Sequence, residues 1–415
     1  MMALTGGLAL VAALAGLPLF LVIGGLTIVG FLVLDAEPAL LFIEMARLST
    51  QETLVAVPIF TFAGYVLAES KAPARVVRVA RAALGWLPGG VAFVSVGACA
   101  LFTAFTGASG VTIIALGGLL YPVLLDEGLP ERFSLGLLTS GGSLGLLFPP
   151  SLPVILYAVV AGVNYEALFR AALLPGLLLL AVLGMYAAWV AARSGARRQP
   201  FSGTELLQAG ASASWDLSIP GIVVAGIYGG VMLVDEAAVF TALAVVVVNV
   251  FIHRDLSPRD VLRVGADSAV LVGAILLIFG VALGLTNVLV LAFVPDLILE
   301  WLQSVVSSRW AFLLGLNLFL LAVGCLLDVF SAIIVVVPLL LPLLEAYQVH
   351  PLHLGVVFLT NLEIGYVTPP VGMNLFLSAF RFEKPLPEVY RATLPFIALL
   401  LGALAVITFV PALSV

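Results

Sequence analysis

Apolar residues in this chain do not alternate with polar ones. They come in runs of about 17 to 25 residues, the length that carries a helix across a bilayer, separated by short polar stretches. The short alternating segments of a membrane β-barrel are not evident, so the spans are read as helices. The pattern predicts an apolar entry segment at 5–35, spans near 52–69 and 84–105, a long apolar region over 107–125, a broken span at 134–162 and a further span at 171–192. Beyond the polar, small-residue-rich stretch Arg193–Asp216 it predicts helical runs at 217–233 and 236–252 and a span at 267–291. Apolar runs at 311–345 and 352–380 and a last span at 392–413 complete the chain. About eleven or twelve membrane segments follow by length alone.

Two of these runs are interrupted in the same way, by GLLFPPS at 145–151 and GYVTPPV at 365–371, 220 residues apart. The same offset pairs Gly64 with Gly284, Pro122 with Pro342, Gly145 with Gly365, Pro149 with Pro369 and Pro150 with Pro370. Proline removes a backbone donor and glycine relaxes the backbone, so both helices are expected to unwind near mid-span. An internal duplication follows. Residues 1–200 form an N-terminal half with a hairpin near 95–125 and a broken helix at 134–162, and 201–216 form a central linker. Residues 217–415 form a C-terminal half with a hairpin near 311–345 and a broken helix at 352–380. The loop after Gly64 carries Lys71, Arg75, Arg78 and Arg81, whereas its counterpart has Asp296 and Glu300 with only Arg309 basic. By the positive-inside rule the two copies insert with opposite orientation. Arg193, Arg197 and Arg198 place the linker in the cytoplasm by the same rule, as do His253, Arg254, Arg259 and Arg263 for the next interior loop. The fold class is an all-α polytopic membrane protein with inverted structural repeats, re-entrant hairpins and broken transmembrane helices.

Composition agrees with an integral membrane protein: 63% of the 415 residues are hydrophobic and 10% charged, and the mean hydropathy is +1.24. A net charge of −6 and the lack of a basic run argue against a nucleic-acid partner. Cys99 and Cys325 lack metal-ligand spacing and are expected to be packing residues. His253, His350 and His353 read as loop or interface residues. The entry segment lacks a charged n-region, so it reads as a retained membrane segment. No GxxxxGK cradle for a nucleotide and no compact nucleophile–base set is present, so neither direct ATP use nor an enzyme is expected.

Candidate chemistry gathers at the interruptions. FTAFTGASG at 102–110 combines Thr103, Thr106 and Ser109 with small residues, which suits a hairpin tip facing a cavity or, equally, close helix packing. Pro149, Pro150 and Ser151 lie in the same half. In GCLLDVFSA at 324–332, Asp328 stands in an apolar field, where a carboxylate is costly unless paired, hydrated or bound to a cation. It is a site candidate or a helix cap. Asn361, Glu363 and Thr368 bring further oxygens near the second break. Oxygen ligands and freed carbonyls suit sodium, with protons through Asp328 or Glu363 as the alternative coupling ion. In GIYGGVMLVDEAA at 226–238, Asp235 and Glu236 are placed to cap the next helix.

The stretches FTAFTGASG, GLLFPPSLPVILYAVVAGV at 145–163, DVFSAIIVVVPLLLPLL at 328–344 and NLEIGYVTPPVGMNLF at 361–376 closely resemble the large membrane (M, or DctM-like) subunit of tripartite ATP-independent periplasmic (TRAP) transporters, part of the ion transporter superfamily. The resemblance implies an elevator-type, sodium-driven importer in the bacterial inner membrane. It implies a separate small membrane Q subunit, a periplasmic substrate-binding P protein and a small organic anion, a carboxylate such as a C4-dicarboxylate or sugar acid. Membrane lipids surround it, and no cofactor beyond the coupling Na+ is implied. Carried over, the first cation site would involve Thr106, Ala108, Ser109 and Gly110 with Pro149, Pro150 and Ser151. The second would involve Asp328 and Ser331 with Asn361, Gly365, Thr368, Pro369 and Pro370. One departure stands out: Leu233, Val234 and Asp235 replace the TPT that many relatives carry before Glu236. The alternatives are a stand-alone ion-coupled organic-anion carrier and a non-transporting membrane assembly subunit.

Overall fold

The computed structural model describes residues 17–48, 51–87, 89–195, 200–306 and 308–415. The first part of the entry segment, 5–16, and the linker residues Arg197 and Arg198 lie outside the described residues. All regular structure among the described residues is helical.

The described chain runs α1 (Leu19–Val33), α2 (Ala39–Leu48), a 3₁₀ turn (Glu52–Val55), α3 (Ala56–Glu69), α4 (Ala72–Leu84), α5 (Gly90–Thr106) and α6 (Ser109–Asp126). Next come α7 (Glu131–Gly141), a 3₁₀ turn at Leu144–Leu147, α8 (Leu152–Ala161) and the long α9 (Tyr165–Ser194). The linker holds α10 (Gly203–Ser212), and α11 (Ser214–Tyr228) and α12 (Val234–Val247) follow, the latter prolonged by a π turn at Val248–Ile252. Then come α13 (Pro258–Leu291), α14 (Val294–Val305), α15 (Arg309–Leu326), α16 (Val329–Ala346), α17 (Pro351–Gly365), α18 (Met373–Arg381) and α19 (Leu386–Phe409).

Among the described residues, seven helices are long and apolar enough to cross a membrane, or eight if the bent pair Glu131–Leu147 and Leu152–Ala161, at 45°, is one span. Three shorter apolar helices, α1, α3 and α5, add to these. Local chemistry sets many of the starts. The Asn164 side chain accepts the Ala167 N–H at 2.8 Å to open α9, Ser257 and Asp260 form a reciprocal box on α13, and the Ser308 hydroxyl accepts the Ala311 N–H at 3.2 Å on α15. Glu236 accepts the Leu233 N–H at 2.9 Å, the expected capping role, so the changed TPT stretch still begins a helix. Pro122 and Pro342 sit inside α6 and α16, where neighbouring helices make the lost backbone bond tolerable.

The burial pattern follows the 220-residue spacing. Ser109–Asp126 is matched by Val329–Ala346, and the two longest unbroken buried stretches leading into a Pro-Pro pair are 133–147 and 353–367. The molecule's centre is therefore made of the segments that lose helicity, while α1, α12, α13 and α14 keep large apolar side chains such as Leu32, Leu243, Val270 and Trp301 exposed. Three readings change. Residues 72–84 and 294–305, expected as loops, are helices whose apolar positions fall on one face, which a span-length window misses. His353, expected as a loop or interface residue, is fully buried on α17 between Ser414 Oγ at 2.6 Å and Thr408 O at 3.2 Å.

Charged segments assigned to one side of the membrane meet in space. Arg75 on α4 binds both carboxylate oxygens of Asp216 at 2.5 and 3.1 Å and Asp255 at 2.6 Å, while Arg78 pairs with Glu205 of the linker helix at 2.7 Å and Arg263 with Glu69 at 2.9 Å. The Arg75 hub is almost dry, with the Asp216 side chain 1% exposed. Removing one partner of such a group strands buried charge, so Arg75→Ala is expected to cost about 3–5 kcal/mol, read as a fall in the thermal midpoint of the purified protein. Arg75→Ala/Asp216→Ala should lose less than the two single changes combined. At the end of α6, burial pushes the Glu127 carboxyl up to about 7 against the pull of Arg81. A raised carboxyl favours the folded state below its ordinary value and loses that advantage as pH rises through about 7. Glu127→Gln is expected to raise the thermal midpoint at pH 8.5 and to leave it unchanged at pH 5.

Candidate functional site

The first tip is the turn between α5 and α6. Gly107 takes φ +65°, which ends α5 with its N–H donating to Thr103 O at 2.8 Å, and Ala108 is extended before α6 begins at Ser109. The arms are pinned to the first interruption: the Thr103 hydroxyl donates to Gly142 O at 2.7 Å and lies 2.6 Å from Thr112 Oγ1. Gly145 lies so close to α5 that a Cβ there would overlap Ala100 O and the Ala104 N–H. Ser151 donates to Leu146 O, which holds the turn through Pro149 and Pro150.

The second tip is built on the same plan with different chemistry. Leu327 and Asp328 are extended between α15 and α16. Asp328 Oδ1 accepts the N–H groups of Phe330 and Ser331, both at 3.0 Å, and Oδ2 accepts the Ser331 hydroxyl at 2.5 Å. Val329 N–H donates to the Tyr366 hydroxyl at 2.5 Å, joining the tip to the second interruption. The Gly372 N–H donates to Cys325 O at 3.1 Å, and the Cys325 thiol lies 3.1 Å from Thr368 O. A Cβ on Gly365 would overlap Gly324 and Cys325, so glycine again permits the close approach of break to arm.

Between the tips lies a cavity of about 220 Å³, with α13 as its far wall. Ala108 and Ser109 of the first tip and Asp328 and Ser331 of the second line it, with Leu146 and Tyr366 from the two interruptions. Ala108 and Asp328 are 220 residues apart, as are Leu146 and Tyr366, so corresponding positions meet across one space. Among the described residues, Asp328 is its only charged lining residue. The carboxylate is thus both helix cap and cavity wall.

The other expected site residues stand behind this surface. Thr106 is buried, its hydroxyl donating to Ala108 O at 3.3 Å, and Gly110 packs against Leu377. Pro149, Pro150, Ser151, Gly365, Thr368, Pro369 and Pro370 shape the two turns without lining the cavity; the Thr368 hydroxyl donates to Ile364 O at 2.8 Å and Pro370 O accepts from Tyr390. Asn361 and Glu363 are buried inside α17. The Asn361 amide donates to Asn317 Oδ1 at 2.6 Å, and neither Glu363 carboxylate oxygen has a hydrogen-bond partner among the described residues. Asn374 escaped the sequence reading. Its Oδ1 accepts the Ser109 hydroxyl at 2.7 Å and its amide reaches Thr139 O at 3.4 Å, tying the first tip to the helix after the second break. A polar residue within the otherwise apolar GMNLF of 372–376 was the available signal. Ser143 was missed too, and its hydroxyl reaches Glu363 O across the two interruptions at 3.4 Å.

Paired interruptions buried around one small cavity, in a chain of many apolar spans, define a membrane permease. The model of the family described as tripartite ATP-independent periplasmic transporter, DctM component, matches residues 5–413, and the chain belongs to that family. It is thus a large permease component and not an enzyme. The C4-dicarboxylate TRAP transporter large permease protein DctM of Rhodobacter capsulatus is 31% identical over 98% of this chain and 96% of its own length. The ectoine/5-hydroxyectoine large permease UehC of Ruegeria pomeroyi is 30% identical over 98% and 96%. The isethionate permease DctMQ of Oleidesulfovibrio alaskensis is 32% identical over 87% of this chain, which spans 57% of that longer protein. Among solved structures, the Alcanivorax borkumensis YdaH transporter has the same fold, with a TM-score of 0.67, 14% identity and coverage of 89% and 86% of the two chains.

The glycine contacts give a direct check. Gly145→Ala and Gly365→Ala force a methyl group against neighbouring backbone, and each is expected to cost about 2 kcal/mol as a lower thermal midpoint, whereas Gly273→Ala, where a Cβ meets nothing within 4 Å, should leave the midpoint unchanged.

Proposed function

We propose that this chain is the large membrane subunit of a sodium-coupled TRAP importer in the bacterial inner membrane, carrying a small organic anion handed over by a periplasmic binding protein, with a separate small membrane subunit beside it. The observation that carries the reading is the single cavity walled by both tips and both interruptions, with one carboxylate in its lining. Relatives named for C4-dicarboxylates, ectoine and isethionate support small polar cargo.

The two halves act as inverted repeats whose hairpins and broken helices form a moving body, and α1 to α4 and α11 to α14 contribute the frame against which it slides. Asp328 and the carbonyls exposed at the second tip hold Na+, with Ser331 fixing the carboxylate's orientation. Ala108, Ser109 and Gly110 form the first wall of the site, while Thr106, Pro149, Pro150 and Ser151 keep that tip in register. On the second side Gly365, Thr368, Pro369 and Pro370 do the same. Bound sodium offsets the substrate's charge and lets the tips close together, so that the pair crosses as one unit. The sodium gradient and the membrane potential supply the work, the latter worth roughly 2.3 kcal/mol per charge per 100 mV.

A second reading rests on Glu363. A fully buried carboxylate with no hydrogen-bond partner among the described residues carries a proton or a cation, which favours proton coupling with Asn361 near it in sequence.

The test is uptake by proteoliposomes holding the chain with its small partner and binding protein. Asp328→Asn keeps a helix-capping side chain and removes the charge, so membrane insertion should persist while the apparent sodium affinity falls about tenfold, equivalent to ~1.4 kcal/mol. Unchanged sodium affinity and rate would remove Asp328 from coupling, and uptake that follows a proton gradient and is lost in Glu363→Gln would establish the second reading.

A further inference from the structure

Two serines line the cavity, Ser109 at the first tip and Ser331 at the second, and each has a partner for its hydroxyl proton. At the second tip that partner is local, since the Ser331 hydroxyl donates to Asp328 Oδ2 at 2.5 Å. At the first tip it comes from 265 residues away: the Ser109 hydroxyl donates to Asn374 Oδ1 at 2.7 Å. The duplication does not supply this bond. The residue 220 positions after Ser109 is Val329 and the one 220 positions before Asn374 is Val154, and neither side chain carries a polar atom.

The rest of the Asn374 amide sets the direction of this bond. Asn374 Nδ2 donates at 3.4 Å to Thr139 O, one of the last four carbonyls of α7, which have no partner within that helix. With the amide reversed, its oxygen would face the Thr139 oxygen, two acceptors with no proton between them. Oδ1 is therefore directed at Ser109 and takes its proton. The short helix α18 keeps the amide in place: Asn374 is fully buried, its N–H donates to Tyr366 O at 3.1 Å, Leu377 packs on Gly110, and Arg381 Nε donates to Ile114 O at 2.8 Å.

Resting on the reading of this cavity as the sodium-binding, transported site, we propose that Asn374 is a positioning residue for the cation: it engages the Ser109 proton, so that the first tip presents this hydroxyl to Na+ as an acceptor. A hydroxyl has one proton and two lone pairs, and only a lone pair can coordinate a cation. Without Asn374 the Ser109 hydroxyl rotates freely, and its proton has to be turned away each time the ion binds. Ser331 reaches the same state through Asp328. The two serine oxygens thus show the cavity one polarity through unlike partners, one beside the tip and one from the helix after the second break. Partners behind the ligands orient the ligands in metal sites generally.

Sodium itself is the probe. The thermal midpoint of the purified full-length chain in nanodiscs is followed as NaCl replaces choline chloride at constant ionic strength, which gives an apparent sodium affinity for each variant. Asn374→Leu removes the acceptor at similar size and is expected to weaken that affinity about fivefold. Ser109→Ala should weaken it as well, and adding Asn374→Leu to Ser109→Ala should cost nothing further. Asn374→Asp keeps an oxygen for the Ser109 proton and should bind sodium no more weakly than the wild type. Ser378→Ala, on the same helix, removes a buried hydroxyl with no hydrogen-bond partner among the described residues and should bind as the wild type does. A merely structural role for Asn374 would lower the midpoint in choline and leave the sodium affinity where it was. That result overturns the proposal, as does equal weakening by Asn374→Leu and Asn374→Asp. If Asn374→Leu does not assemble, Asn374→Ala reads the same quantity. Asp328→Asn separates the two levels of the argument. A sodium response that it leaves intact means that the cavity is not the sodium site, and the functional reading falls together with the proposal. A response lost in Asp328→Asn and untouched in Asn374→Leu overturns the role of Asn374 alone.

Discussion

Backbone amides and carbonyls at the depth of the apolar spans have no water to bind, so wherever a helix stops inside the molecule its loose groups must find partners in the protein. Among the described residues, helices stop inside the molecule at four places: after Thr106, after Gly141, after Leu326 and after Gly365. Each stop is answered by another. Thr103 of the first tip reaches Gly142 O of the first break, Val329 of the second tip reaches Tyr366 of the second break, and Ser143 and Asn374 join the two halves across the centre. Small residues make these meetings possible, because Gly145 and Gly365 let a break lie directly on a hairpin arm. The cavity is what the four stops leave between them.

That arrangement links stability to function through the same atoms. Asp328 uses its carboxylate to begin α16 and presents the same group to the cavity. The charged ring formed by Arg75, Asp216 and Asp255 lies elsewhere, joining α4 to the start of α11 and to the turn after α12. It fixes the amphipathic α4 in place.

Much of this was legible in the residues. The spacing of 220 between the two Pro-Pro pairs pointed to corresponding halves, and the elements fall at corresponding positions down to the ends of α6 and α16. Apolar run length gave the helical class, while the resemblance assigned Ala108 and Ser109 to a first site and Asp328 to a second, and all three line one cavity. Three kinds of information were hidden. The amphipathic α4 carries too little net hydrophobicity and α14, at 12 residues, is too short to register as a span, although their one-sided pattern was present. Contacts between residues hundreds of positions apart, such as Ser109 with Asn374, have no local sequence mark. The separation of Asn361 and Glu363 from the cavity depends on which way α17 is rotated, and near an interruption the helical period is lost.

The central claim is that the space between the tips is the site that is carried across the membrane. It is tested most directly by replacing Cys99 and Cys325 with alanine, introducing Ala108→Cys, and measuring its labelling by a membrane-impermeant thiol reagent from each side of the bilayer, with and without Na+ and substrate. The account predicts that the introduced thiol is reached from both sides in turn as the transporter cycles and is protected when sodium and substrate are bound together. Labelling from one side alone, at a rate indifferent to sodium and substrate, would contradict it.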